Sequence, residues 1–292
     1  MTGRFLATVC SNGTVTIYRL DPNHKSPVEV VEIKKKVAKP AWCVKWADPR
    51  FDLIFAVCYF DQQIVLYQLV EDKIVTLYEY NAKSSVNKCD FAPWGFGLKL
   101  TAVTSAGECI VIERTNEFKA LPFKAHNEIA SSVSWASAFT LDNFLDGQDK
   151  HSKARQIFAT CGCDGAIKIW EIKKEITNPK EILSIKDSHK KVVRDISWSN
   201  NAFLDSCLLA SGGEDGLVCI WKIVLEEEKA TCEKIYTKDY KSPVWKTSFN
   251  FSGNLLAVAF SSQQGNQVEV LCQTENNTWE KMVDAKNEST NV

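Results

Sequence analysis

The chain has 292 residues, with 35 basic side chains set against 36 acidic ones, a balance that gives no electrostatic case for direct contact with nucleic acid or an anionic membrane. A chain of this length buries about three quarters of its unfolded surface, so it needs neither disulfides nor a metal to hold a core. Its 11 cysteines fall inside apolar runs, as at Cys43, Cys58, Cys109 and Cys219, without CxxC spacing, and read as small core side chains of a reducing compartment.

From the start, Met1-Thr2-Gly3-Arg4 leads straight into a strand rather than a secretory signal. The longest strictly apolar run, Leu53 to Phe60, is too short to span a bilayer. A soluble, cytosolic chain is expected. The first unit begins at Phe5 and turns at Asn12-Gly13 into the alternating strand Val15-Thr16-Ile17-Tyr18. Five further units each open on a strand ending in an aromatic residue: Ala41 to Trp46, Ser85 to Phe91, Ser131 to Trp135, Val193 to Trp198 and Val244 to Phe249. Those aromatics recur at intervals of 45, 44, 63 and 51 residues. A second apolar strand follows each opening strand: Leu53 to Tyr59, Leu100 to Thr104, Ile157 to Cys161, Leu208 to Ser211 and Leu255 to Phe260. A tight turn leads to a third strand at Ile64 to Tyr67, Cys109 to Ile112, Ile167 to Trp170, Val218 to Trp221 and Val268 to Leu271. Asp164-Gly165 and Asp215-Gly216 supply turn residues that tolerate positive φ. Outer strands such as Lys73 to Tyr80 and Glu181 to Ile185 complete four-stranded sheets.

Two units carry a sharper pattern. Thr160, Asp164 and Trp170 recur at the same spacing as Ser211, Asp215 and Trp221, and a histidine precedes each set, His126 and His189. This is the signature of a WD repeat, and it predicts an all-β, six-bladed β-propeller over residues 1–283 with a polar tail at 284–292. In such a blade the aspartate accepts from the imidazole, which meets the strand hydroxyl and the tryptophan N–H in one satisfied network. A hydrolase triad is the rival reading of His, Asp and Ser. Its occurrence twice at repeat spacing, with each hydroxyl inside a strand, argues against it. Gly212-Gly213-Glu214-Asp215-Gly216 joins strand to strand, whereas a phosphate loop needs a helix behind it. No catalytic, cofactor-binding or metal-binding set is predicted.

Closure is the second informative feature. With the first unit starting at Phe5 and the tail lacking a strand pattern, the first unit is expected to lack its inner strand, leaving an edge open to strands of another chain. An open edge also predicts some self-pairing, though no obligate homo-oligomer.

Together Arg4-Phe5-Leu6-Ala7-Thr8, Pro40-Ala41-Trp42-Cys43-Val44-Lys45-Trp46-Ala47, Phe91-Ala92-Pro93, Val133-Ser134-Trp135-Ala136, Gly162-Cys163-Asp164, Val193 to Trp198 and Pro243 to Phe249 resemble the Sec-thirteen family of small WD-repeat coat proteins. The likeness runs from Arg4 to Val283 and includes a polar insertion in the fourth unit, Phe139 to Arg155, whose segment Asp142 to Lys153 reads as a solvated loop. It departs at Gly107 and Glu113, and at Gln264-Gly265-Asn266 and Leu271, where a WD unit would carry aspartate and tryptophan.

Membership implies an open propeller that takes a seventh blade from a partner: the large α-solenoid outer-coat subunit of the COPII vesicle coat, and a solenoid nucleoporin of the Y-shaped nuclear pore complex. It implies a non-catalytic scaffold, peripheral at the endoplasmic reticulum membrane and also at the nuclear pore, touching membrane only indirectly and using no cofactor. Candidate partner contacts are Phe5, Leu6, Val15, Ile17 and Tyr18 on the first unit, and Val244, Trp245 and Phe249 on the last. The alternatives are a related nucleoporin propeller that also serves nutrient signalling, and a substrate adaptor of a ubiquitin ligase, which would close its own ring.

Overall fold

Apolar alternation in the chain becomes six antiparallel sheets in the computed structural model, which describes residues 4–20, 28–33, 39–137, 155–173, 179–199, 207–225, 229–276 and 278–282. The tail at 284–292 and residues 139–154 of the insertion lie outside the described residues. The first sheet holds β1 (Phe5–Val9), β2 (Val15–Arg19) and β3 (Val28–Ile33). The second holds β4 (Ala41–Trp46), β5 (Ile54–Tyr59), β6 (Gln63–Val70) and β7 (Lys73–Asn81). The third holds β8 (Val86–Phe91), β9 (Lys99–Thr104), β10 (Glu108–Arg114) and β11 (Phe118–Lys124). The fourth is β12 (Ala130–Trp135), β13 (Gln156–Gly162), β14 (Ile167–Ile172) and β15 (Lys180–Ile185). The fifth is β16 (Val193–Trp198), β17 (Cys207–Gly213), β18 (Leu217–Leu225) and β19 (Ala230–Asp239). The sixth is β20 (Val244–Phe249), β21 (Leu255–Ser262), β22 (Gly265–Gln273) and β23 (Trp279–Lys281).

The innermost strands β4, β8, β12, β16 and β20 pack in succession around the axis, and each second strand packs on the inner strand of the next sheet. By that rule β1 holds a second-strand place, because it packs on β4 as β5 packs on β8. Among the described residues no strand lies inside β1. No packing of this extent joins the sixth sheet to the first among the described residues.

Stability comes from apolar layers between consecutive sheets. Val15 and Ile17 meet Phe55, Val57 and Tyr67 between the first and second, and Cys58, Ile64 and Leu66 meet Cys89, Leu100 and Ile110 between the second and third. Further layers centre on Trp135 and Phe158, on Ile169 and Trp198, and on Ile220 and Leu256. Each fully buried side chain of this size contributes about 1.5–3 kcal/mol of transfer free energy, so every sheet depends on its neighbour for much of its stability.

A one-residue bulge recurs after the first position of each inner strand, between Ala41 and Cys43, Val86 and Lys88, Ala130 and Ser132, Val193 and Asp195, and Val244 and Lys246. A bulge leaves its extra residue out of the ladder and re-aims it. It leaves Trp42 and Trp245 substantially exposed, while their neighbours Ala41 and Val244 are buried.

Candidate interaction site

The fourth and fifth sheets each close on a buried polar network. Trp170 Nε1 donates to Thr160 Oγ1 at 2.9 Å, and that oxygen lies 2.9 Å from His126 Nε2. On the other side of the ring, His126 Nδ1 is 2.9 Å from Asp164 Oδ2. In the fifth sheet Trp221 Nε1 donates to Ser211 Oγ at 2.9 Å, Ser211 Oγ lies 2.8 Å from His189 Nε2, and His189 Nδ1 lies 2.9 Å from Asp215 Oδ1. The carboxylates also accept backbone N–H groups, from Ala166 to Asp164 and from Lys190 and Leu217 to Asp215.

A carboxylate only accepts, so Nδ1 carries the proton and donates to it; Nε2 then accepts from the hydroxyl, which accepts the indole N–H. Every donor has one acceptor with the imidazole neutral. Burial lowers the pKa of both histidines below the ordinary 6.5, against the pull of Asp164 and Asp215. Glycines make room for the rings: a Cβ on Gly213 would sit 2.5 Å from His189 Nδ1, and one on Gly162 would sit 3.2 Å from His126 Nδ1. Thr160 and Ser211 have no solvent exposure, which places both hydroxyls out of reach of a substrate. Among the described residues no group of three or more His, Cys, Asp or Glu is arranged to hold a metal ion, and no helix is long and apolar enough to cross a membrane.

A second repeated device bolts inner strand to inner strand. On β8, β12 and β16 the residue before the terminal aromatic accepts the N–H of the next strand's aromatic: Asp90 from Trp135 at 2.9 Å, Ser134 from Trp198 at 3.2 Å, and Ser197 from Phe249 at 3.3 Å. On β20 the same place belongs to Ser248, which is exposed. Two residues earlier, Asp195 accepts the Thr247 N–H at 3.0 Å and the Ser132 hydroxyl at 2.9 Å, and pairs with the Lys88 ammonium. Lys246 stands 3.8 Å from the same carboxylate. Burial opposes the charge on Asp195, but Lys88 and then Lys246 override it and hold its pKa below the ordinary value.

At the two ends of the series each sheet keeps an uncovered face. Successive side chains of a strand point to opposite sides. Phe5, Val15 and Ile17 therefore face the second sheet and join its core, whereas Leu6 and Tyr18, directly paired across β1 and β2, face away. Leu6 is 44% exposed. Likewise Val244 and Phe249 pack toward the fifth sheet. Five of the eight predicted contacts thus serve the chain's own core, because strand alternation points them at a covered face. Trp245, at its bulge, stays 44% exposed with its indole N–H donated to Ser261 Oγ at 2.7 Å and Arg194 stacked 5.2 Å above the ring.

Residues missed from the sequence complete the far side. Ala259 pairs with Val268 and Ala257 with Val270 on the face of the sixth sheet turned away from the fifth. In the fifth sheet Val218 and Ile220 hold the places of Val268 and Val270 and are wholly buried beneath the sixth, while Val268 is 70% exposed. The alternation of β22 carries the signal for a strand, but alternation alone does not say which neighbour covers each face.

The sheets, the repeated inner-strand clasps and the Trp–Ser/Thr–His–Asp networks define a WD-repeat β-propeller. Residues 120–171 and 180–222, which carry both networks, match the WD domain, G-beta repeat family. Similar chains include "Protein SEC13 homolog" of Drosophila melanogaster, 31% identical over 88% of this chain and 71% of the relative. "Protein transport protein SEC13" of Coccidioides immitis is 29% identical over 97% and 92%, and that of Yarrowia lipolytica 29% over 88% and 85%. The chain belongs to the SEC13 family.

Proposed function

We propose that the chain is a non-catalytic structural scaffold of the COPII vesicle coat in transport from the endoplasmic reticulum to the Golgi, and of the nuclear pore complex. In both it binds an elongated α-solenoid partner that inserts strands between its first and sixth sheets. The observation that carries this reading is the pair of uncovered faces, Leu6 and Tyr18 at one end and Ala257, Ala259, Val268 and Val270 at the other. Support for a transport role comes from the relatives named protein transport proteins.

The physics of docking is that of an unpaired sheet edge. Strands laid along the inner edge of β1 would satisfy its open N–H and C=O groups, and their side chains would bury the apolar faces on both sides. An inserted inner strand would also find Ser248 Oγ placed to accept its N–H, as Ser197 accepts that of Phe249. Strand pairing fixes the angle between propeller and solenoid and stiffens the joint. The propeller would shape a membrane through its partner, working at the cytoplasmic face of the endoplasmic reticulum and at the pore without inserting into lipid.

Affinity capture of the full-length chain from its own cells tests this. The wild type should retain a long helical-solenoid protein in stoichiometric amount. Val268→Asp should lose it by about thirtyfold or more, since docking would strand a carboxylate in an apolar seam, and should still fold because Val268 is 70% exposed. Capture of ligase subunits in place of a solenoid protein, or equal capture by wild type and variant, would overturn the proposal.

A further inference from the structure

Three cysteines meet beside the axis. Cys43 on β4 lies directly opposite Cys58 on β5 in the ladder of the second sheet, and its sulfur lies 3.9 Å from the Cys89 carbonyl oxygen on β8 of the third sheet. All three side chains belong to one packed cluster between the second and third sheets. Cys58 and Cys89 have no exposure at all, while Cys43 is only partly buried, the most exposed of the three.

The surroundings divide the roles. Hydrogen bonds from Cys58 and Cys89 hold the Cys43 thiol well below the usual thiol range, against burial, and Lys88 adds to the effect. Burial keeps Cys58 high, and the hydrogen bond to Cys43 keeps Cys89 high. Lys45 and Lys246 also face Cys43, and Asp90 and Asp195 are the carboxylates paired with these ammonium groups. One partly exposed cysteine of lowered pKa, with cations near it and two buried thiols against it, has the layout of a nucleophile with resolving partners.

We propose that Cys43 is a hydroperoxide-reactive site whose oxidation ends in a reversible disulfide with Cys58 or Cys89. The Cys43 thiolate attacks one peroxide oxygen; the O–O bond breaks, and the departing alkoxide or hydroxide takes up a proton. Cys43 is then a sulfenic acid. The resolving sulfur attacks it, the S–O bond breaks, and hydroxide leaves as water with the resolving thiol's proton. Two thiols lose two electrons in total, and the hydroperoxide gains them to become water or an alcohol. A disulfide to Cys58 would cross-link β4 to β5; one to Cys89 would staple the second sheet to the third.

The test is titration of the full-length reduced chain with hydrogen peroxide, followed by blocking of free thiols and peptide mapping, with Cys10 and Cys232 as exposed references. A linked peptide joining Cys43 to Cys58 or Cys89 should form at about tenfold lower peroxide than oxidises either reference, and dithiothreitol should reverse it. In Cys43→Ser the other two should stay reduced, and the wild-type titration stands even if this variant folds poorly. Cys43 still reduced when Cys10 and Cys232 are oxidised, or Cys58 and Cys89 oxidised in the absence of Cys43, would overturn the proposal.

Discussion

Ser211 shows how much one hydroxyl can hold. It accepts from Trp221 and donates to His189, both out of water, so Ser211→Ala removes few contacts but strands two buried polar atoms. An unsatisfied buried donor or acceptor costs about 1–3 kcal/mol, and the loss is predicted at about 2–4 kcal/mol in urea unfolding, with an unchanged slope; a loss below about 0.5 kcal/mol would contradict the network's role. The same chemistry gives a pH dependence. His126 and His189 are lowered in the fold, so below about 6.5 the unfolded chain binds protons that the folded one refuses, and stability must fall with pH there. The lowered Asp195 adds stability that is present above the ordinary carboxylate pKa and is lost as pH falls through its folded value. Unfolding midpoints should therefore drop in two stages, first below about pH 6.5 and again below about pH 4; a flat midpoint between pH 7 and 5 would contradict the neutral-histidine assignment. These residues were legible in the sequence, because a polar network needs its residue types at fixed offsets from a turn. The clasps through Asp90, Ser134 and Ser197 were not, since a serine or aspartate before an aromatic signals nothing until the next strand's N–H is beside it.

Among the strands, the sequence placed inner, second and third members correctly because hydrophobic alternation and terminal aromatics mark them. It could not say which sheet covers which face. Phe5 and Leu6 are adjacent and equally apolar, yet one is core and the other exposed, a difference set by a neighbouring sheet far along the chain. Ser248 carries the element-scale prediction. If an inserted inner strand repeats the clasp made by Ser197 to Phe249, Ser248→Ala should weaken partner binding by about 0.5–1.5 kcal/mol, roughly two- to tenfold, without shifting the unfolding midpoint. A titration of partner against wild type and variant reads this directly. Equal affinities would show that the inserted strand does not continue the pattern of β16 and β20.

For the whole molecule, the proposed docking requires a partner to complete the series of sheets. Each sheet is stabilised by the next, from the layer at Val15 and Ile17 to the layer at Ile220 and Leu256, and the device stops at two faces that no sheet covers among the described residues. The measurement that tests this most directly is site-specific photo-crosslinking of the chain in its assembled complex, with the probe placed in turn at Leu6, Val268, Val75 and Ile235. All four are exposed apolar positions, but Val75 and Ile235 lie on the outer strands β7 and β19, away from the open seam. The account predicts that probes at Leu6 and Val268 attach to one short stretch of the same solenoid partner, and that those at Val75 and Ile235 do not. Crosslinks to that partner from Val75 or Ile235, with none from Leu6 and Val268, would contradict it.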